Sequence, residues 1–201
     1  MRIIISILTL LPTLIFAQNM ANSIGVITLS EEYDKTDRII EFLNEDGSTW
    51  DSFNCYGPWD NLPELQILAF KPDYFLFKIK CHKETPTHYV VVVNEETGLT
   101  KNLRKSSKVK LVNWEEYVTD VFSIGFEPSE LQVFDKVGGT PTSEQPIKES
   151  IIVPKELNGD WMKIIWTSGE YEIPSDESNN QTGWIRWRMN SRITLTLYHL
   201  S

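Results

Sequence analysis

Tyr89–Val93 reads YVVVV, one aromatic and four β-branched residues that stop at Asn94-Glu95-Glu96-Thr97-Gly98. β-Branched side chains are stiff at χ1 and pack well on a pleated surface, while Asn and Gly supply turn chemistry, so the run predicts a strand. It is apolar on both faces, unlike a half-solvated strand. One face is therefore expected to pack in its own lobe. The other should pack against a second body, either the second half of the chain or a helix near Trp114. Ile24–Leu29, Asp73–Lys80, Leu131–Phe134, Trp161–Trp166, Gly183–Met189 and Ile193–Tyr198 carry the same strand signature. Trp114–Val121 (WEEYVTDV) predicts one short helix, with Trp114, Tyr117 and Val121 on one face. Asp37–Leu43 has apolar residues at both helical and strand spacing. Gly138–Ser143 and Ile173–Gly183 are loops, and Asn180-Gln181-Thr182 is a glycosylation acceptor only in a host that uses such sites. The expected fold class is mainly β.

Met1–Ala17 has the form of a secretory signal peptide: Arg2, the apolar run Ile3–Phe16, then Ile15-Phe16-Ala17 before Gln18. Cleavage after Ala17 leaves 184 residues and, because Arg2 is lost, moves the formal net charge from −9 to −10. No cysteine follows the apolar run, so the chain is expected to be secreted or periplasmic and not lipid-anchored. The acidic balance argues against a nucleic-acid partner and against electrostatic docking on anionic lipid. No later run approaches the ~20 apolar residues of a membrane span.

Cys55 and Cys81 are the two cysteines, 26 positions apart. In an oxidising compartment a bridge between them is one reading, contributing about 3 kcal/mol in the chain-entropy model. Their Cα separation is not legible from sequence, so unbridged thiols remain the other reading. Cys81 precedes His82, but neighbours on a strand face opposite ways, which argues against a catalytic dyad. Cys81, His82 and His88 match no zinc spacing, and His199 is the remaining imidazole. No cofactor or metal is expected.

With gaps allowed in loops, the chain shows an internal similarity. Ile40–Gly47 lies over Leu131–Gly138 at an offset of 91, Asp73-Tyr74 over Asp160-Trp161 at 87, and His88-Tyr89-Val90 over Gly183-Trp184-Ile185 at 95. The second copy carries the more readable motifs. Leu131–Phe134 leads into a Gly-Gly-Thr-Pro loop, then Asn158-Gly159-Asp160-Trp161-Met162-Lys163-Ile164, then Thr182-Gly183-Trp184-Ile185. This order, over about Phe126–Ser201, resembles bacterial Src-homology-3-like domains. The hairpin loop after Trp166 is long for that family, and its charged opening strand is absent. The resemblance implies two small packed β-barrels with one short linking helix. With the signal-peptide pattern and the internal similarity, the expected division is a signal peptide at 1–17, an N-terminal segment at 18–36, a first lobe at 37–122 and a second at 123–201. The resemblance also implies a binding module without catalytic residues of its own.

Candidate binding residues follow from periodicity. In Gly183–Met189, Ile185, Trp187 and Met189 share one face, the natural core side, and Trp184, Arg186 and Arg188 share the other. An indole flanked by two guanidinium groups can stack on a ligand and hold an anion, or can cover a neighbouring lobe with the arginines snorkelling over it. Trp50, Phe53, Tyr56 and Trp59 recur every three residues in TWDSFNCYGPWDNLP. Gly57-Pro58 argues against a helix there, so an extended left-handed segment or tight turns would gather the rings on one side. Such a loop can bind a sugar or a proline-rich peptide, or can plug the core of the first lobe. Carboxylates such as Glu31-Glu32, Glu45-Asp46 and Glu115-Glu116 fit solvated surface, and no nucleophile elbow, phosphate-binding loop or zinc-peptidase motif occurs. The expected function is a secreted or periplasmic non-catalytic binding module for a peptide or cell-envelope polymer, such as a cell-wall polymer. An inhibitor or immunity-type protein blocking an enzyme partner is the alternative, and a small hydrolase a third reading.

Overall fold

The computed structural model describes residues 22–57, 65–127, 132–175 and 179–199. The signal peptide, Trp59 and Leu131 lie outside them. Strand makes up 46% and helix 7%, so pairing between strands decides the architecture.

The first sheet contains β1 (Gly25–Leu29), β2 (Ile40–Leu43), β3 (Thr49–Phe53), β4 (Ala69–Lys71), β5 (Leu76–Glu84), β6 (His88–Asn94), β7 (Leu99–Arg104) and β8 (Val109–Val112). Their order is β3-β2-β7-β6-β5-β1-β8, with β4 also on β5. Among the described residues the path does not close, and β3 and β8 are its edges. β5, nine residues long, has room for three partners. Its start pairs with β4, its middle with β1 and its end with β6. β1 lies between β5 and β8, so this sheet begins at Gly25, ahead of the expected lobe boundary at 37.

Two hydrophobic cores flank this sheet. Side chains alternate along a strand, so Ile27 enters the first core beside Phe42, Phe77 and Val91. Its neighbour Val26 enters the second, with Val112, Met162, Ile164 and Trp187. β6 does not play the bridging role expected of it. Tyr89, Val91 and Val93 fill the first core, Val90 is half-exposed, and Val92 is buried but belongs to neither core cluster. The second body covers the β1–β8 end of the sheet, two strands beyond β6.

The helix α1 (Trp114–Thr119) starts where Asn113 accepts a hydrogen bond from the Glu116 N–H at 2.7 Å, with Glu115 and Glu116 in the positive first turn. Trp114, Tyr117 and Val118 enter the second core, so the helix packs as part of the second body. Next come β9 (Ser123–Gly125), then the antiparallel sheet of β10 (Val153–Asn158), β11 (Trp161–Trp166) and β12 (Gln181–Arg186). The hairpin β13 (Arg188–Met189) with β14 (Arg192–Ile193) follows, and β15 (Thr196–Tyr198) returns to pair with β9. Two expected strands are thus broken. Gly183–Met189 divides at Trp187, whose backbone N–H turns to Asp160 O at 3.1 Å and whose indole N–H donates to Gly159 O at 3.0 Å. A buried indole needs such an acceptor, and taking it pulls the chain off the sheet. Met189, expected in the core, is consequently 48% exposed.

The internal similarity survives in part. The hairpins β5–β6 and β11–β12 correspond. However, Phe134 bridges onto β12, whereas its counterpart Leu43 pairs with Asn102 of β7.

Gly183 of the Gly-Trp-Ile motif faces the second core, where an added Cβ would stand 2.2 Å from Val133 Cγ1 and 3.1 Å from Phe134 O. Gly183→Ala is expected to destabilise by about 1–3 kcal/mol through overpacking. Val133→Ala/Gly183→Ala should recover part of that stability in a thermal-unfolding double-mutant cycle. Additive effects would refute the close approach as the cause.

Candidate functional site

The outer face of the second sheet follows from alternation on two paired strands. On β11, Met162, Ile164 and Trp166 point into the core, leaving Trp161, Lys163 and Ile165 outward and half-buried. On β12, Gly183 and Ile185 point inward and Thr182, Trp184 and Arg186 outward. The register sets Trp161 opposite Arg186 and Lys163 opposite Trp184. Phe134 joins from the far side of β12. Its N–H donates to Trp184 O at 2.8 Å, and its carbonyl accepts from the Trp184 N–H at 2.9 Å. Residues directly opposite share a face, and the Phe134 ring stands edge-on to Trp161 with centroids 5.2 Å apart. The loop leaving Phe134 is closed by Asp135, whose carboxylate accepts from the Thr140 N–H at 2.8 Å. Pro141 bridges back to Phe134.

β11 and β12 each present one cation on this face. Lys163 pairs with Glu156 at 3.4 Å, a solvent-exposed pair worth at most about 1 kcal/mol. Arg186 is exposed, with its guanidinium 5.5 Å from the Trp161 ring centroid, and among the described residues no carboxylate pairs with it. Arg188 belongs elsewhere. Beyond the break at Trp187 it is held by Asp160 at 2.5 Å and Glu115 at 3.4 Å, which ties β13 to the start of β11 and to α1. The structure therefore brings Trp184 and Arg186 together, removes Arg188 and adds Phe134 and Trp161. Trp161 was legible, being in phase with Lys163 on a strand whose core positions are Met162, Ile164 and Trp166. Phe134 was not, since a bridge between residues 50 positions apart leaves no local pattern.

The aromatic segment of the first lobe divides as well. Thr49–Phe53 is strand, so the left-handed segment expected there is corrected. The three-residue spacing of Trp50 and Phe53 comes from a bulge. Phe42 faces Asp51 and Leu43 faces Thr49, leaving Trp50 as the extra residue. Both rings then meet Phe42, with centroids 6.0 and 6.3 Å away. Phe53 is buried in the first core and Trp50 covers its edge, which is the plugging arrangement. Tyr56 stands outside, 48% exposed, donating to Asp34 Oδ1 at 2.8 Å, which raises its pKa. The Arg38 guanidinium lies 3.9 Å from its ring centroid and Phe75 packs at 4.7 Å. Arg38 and Phe75 both hold left-handed backbones, at φ 61° and 54°. Few bulky residues adopt these, so tertiary contacts impose this exposed ledge with Tyr74.

Neither cysteine is bridged; both are thiols buried in the first core, so the disulfide is absent. Each thiol has another environment. Burial pushes the Cys55 thiol up beside the Tyr33 hydroxyl, which accepts from the Cys55 N–H at 2.8 Å. The same burial, with the Cys55 contact, raises the Tyr33 phenol. Cys81 Sγ donates to Lys83 O at 3.5 Å, and burial raises its pKa to about 11. His82 occupies a bulge between Cys81 and Lys83, half-buried. Among the described residues no three His, Cys, Asp or Glu side chains gather as a metal site, and no helix is long and apolar enough to cross a membrane.

A surface depression of about 290 Å³ on the first sheet includes Asp37, Glu41, Arg104 and Lys108 in its lining. Its charges answer one another, Lys108 with Asp37 at 2.5 Å and Arg104 with Glu41 at 3.5 Å. The Lys108 hydrogen bond draws the Asp37 carboxyl below its usual range. The outer face of the second sheet has the better chemistry for recognition, with flat apolar rings beside a cation that the described residues do not neutralise there. No protein-family model matches the chain, and neither a curated protein nor a solved structure shows a significant match.

The two thiols are expected to resist iodoacetamide in the native chain, because the reactive species is the thiolate. Both should react in guanidinium without prior reduction. A need for reductant would overturn the assignment of two unbridged thiols.

Proposed function

We propose that the chain is an exported, non-catalytic binding module with Src-homology-3-like lobes, which grips a carboxylate-bearing peptide or cell-wall polymer on the outer face of the second sheet. The observation that carries this reading is that Phe134, Trp161 and Trp184 share one face with Arg186, which lies over the Trp161 ring and has no carboxylate partner among the described residues. Ring faces receive apolar or sugar units at little entropic cost, and a guanidinium resting over an indole is pre-oriented for a carboxylate. The signal-peptide pattern at Met1–Ala17 supports exposure to the envelope. The order of the Gly-Asp-Trp and Gly-Trp-Ile strands, with Phe134 paired onto the second, supports the family resemblance of the second lobe.

A second reading, an inhibitor or immunity-type protein, is favoured by one observation. The ledge of Tyr56, Tyr74 and Phe75 is exposed and conformationally fixed on the first lobe, a form suited to a protein partner.

Co-sedimentation with insoluble peptidoglycan separates the two. The chain Gln18–Ser201 is expected to sediment. Trp184→Ala and Arg186→Gln, each checked for folding by near-UV circular dichroism, should weaken it by about tenfold or more, the size expected when a hot-spot side chain is truncated. A Trp50→Ala/Tyr56→Ala variant should sediment like the parent. No sedimentation of the parent would remove the cell-wall reading and move weight to a peptide or protein partner.

A further inference from the structure

The seam between the two bodies holds an ionisable cluster that the proposed binding face does not use. Lys78 on β5 is buried at 8% exposure, its Nζ 3.7 Å from Asp120 Oδ2 and 6.0 Å from the centre of the Tyr117 ring. Tyr117 on α1 is fully buried, and its hydroxyl lies 3.3 Å from Nε2 of His199. The two rings pack at 5.4 Å. His199 follows β15 directly, and β15 is held to β9 by three residue pairs, Thr196–Gly125, Leu197–Ile124 and Tyr198–Ser123. The other ring nitrogen, Nδ1, is buried without a hydrogen-bond partner among the described residues.

That arrangement favours a neutral imidazole over a charged one. An imidazolium must donate from both nitrogens, and Nδ1 has no acceptor among the described residues. It would also add a second cation beside the Lys78 ammonium. The charged and titratable groups around His199 are Lys78 from β5 and Tyr117 and Asp120 from α1, with Lys110 and Glu116 acting on Lys78 from β8 and α1. Of these, Asp120 alone favours a charged ring directly, and Lys78 already engages it.

We propose that His199 is an acid-released latch, whose neutral ring docks β15 against α1 and the Lys78 side of β5, and whose protonation frees that strand. Burial, with Lys78 adding to it, lowers the His199 pKa to about 4, while a released ring returns to about 6.5. The docked state therefore binds fewer protons. Its advantage is complete above about pH 6.5 and declines as pH falls toward 4, by on the order of a hundredfold in the docking equilibrium. Release takes the His199 ring away from the Tyr117 hydroxyl and from the field of the Lys78 ammonium.

Amide hydrogen exchange of the full chain, corrected for intrinsic rates, tests this. Protection of β15 and β9 should fall about tenfold or more between about pH 7 and about pH 5, while β5 and β6 stay protected. NMR titration of the His199 ring should give a midpoint well below 6.5. An ordinary midpoint, or protection that does not change with pH, overturns the latch. His199→Gln, which keeps a polar side chain without the titration, should make β15 protection independent of pH. If glutamine itself loosens β15, Lys78→Met decides. Removing that cation should raise the His199 midpoint and shift release to lower pH, and an unmoved midpoint would refute the arrangement.

Discussion

Everything in this molecule hangs on β1, a five-residue strand with no solvated face. Val26 and Ile27 are both fully buried and point in opposite directions, one into each core. Two strands pair with it, β5 and β8, so its backbone groups are satisfied on both edges. A strand buried on both faces and both edges cannot be shared by two independently moving lobes. The cores on its two sides form around a common wall, and α1 packs against that wall as the second core's lid. The two cores therefore share a strand and are not joined only through a linker.

Sharing that wall has a cost on the polar side. Lys78 and Lys80 alternate along β5 with the core residues Phe77, Ile79 and Cys81, so they face away from the first core, where lysines are ordinarily solvated. They are instead buried, at 8% and 6% exposure, because the second body and α1 lie over their end of the sheet. Buried cations are tolerable only when paired. Asp120 reaches Lys78 from the end of α1, and Glu95 reaches Lys80 at 2.5 Å from the turn after β6. Desolvation still lowers the Lys78 pKa despite Asp120. The seam thus combines apolar contacts at Val26 and Val112 with charge pairs at Lys78 and Lys80 on the neighbouring strand β5.

What sequence revealed divides along the same line. Strand identity was legible wherever β-branched and aromatic residues alternate, since that pattern is local. Pairing was not, because β1 meets β5 and β8 across tens of residues, and nothing near Ile24–Leu29 names those partners. Its apolar residues on both faces were visible, as they were in Tyr89–Val93, but sequence offered no way to choose which strand would be the shared one. In the same way the period of three at Trp50 and Phe53 was a true signal with the wrong cause, since a bulge restores to one face what strict alternation would separate. Arg188 was misplaced for a converse reason. Period-two reasoning holds only while the strand lasts, and the hydrogen bonds of Trp187 end it one residue earlier.

The charge of the proposed site runs against the charge of the chain, and distance decides which of them acts. Over the whole molecule carboxylates dominate, with a net charge of −9, so an acidic ligand is repelled at long range. Beyond about 8 Å in physiological salt that repulsion is largely screened. At contact the proposed face offers Arg186 over Trp161, while Lys163 is engaged by Glu156 and Arg188 by Asp160 and Glu115. A ligand that depended on charge alone would therefore gain little from this surface. One that lays apolar or sugar units on Phe134, Trp161 and Trp184 while presenting a carboxylate to Arg186 uses both features together. The stacking holds it through the unfavourable field, and the Arg186 guanidinium selects it.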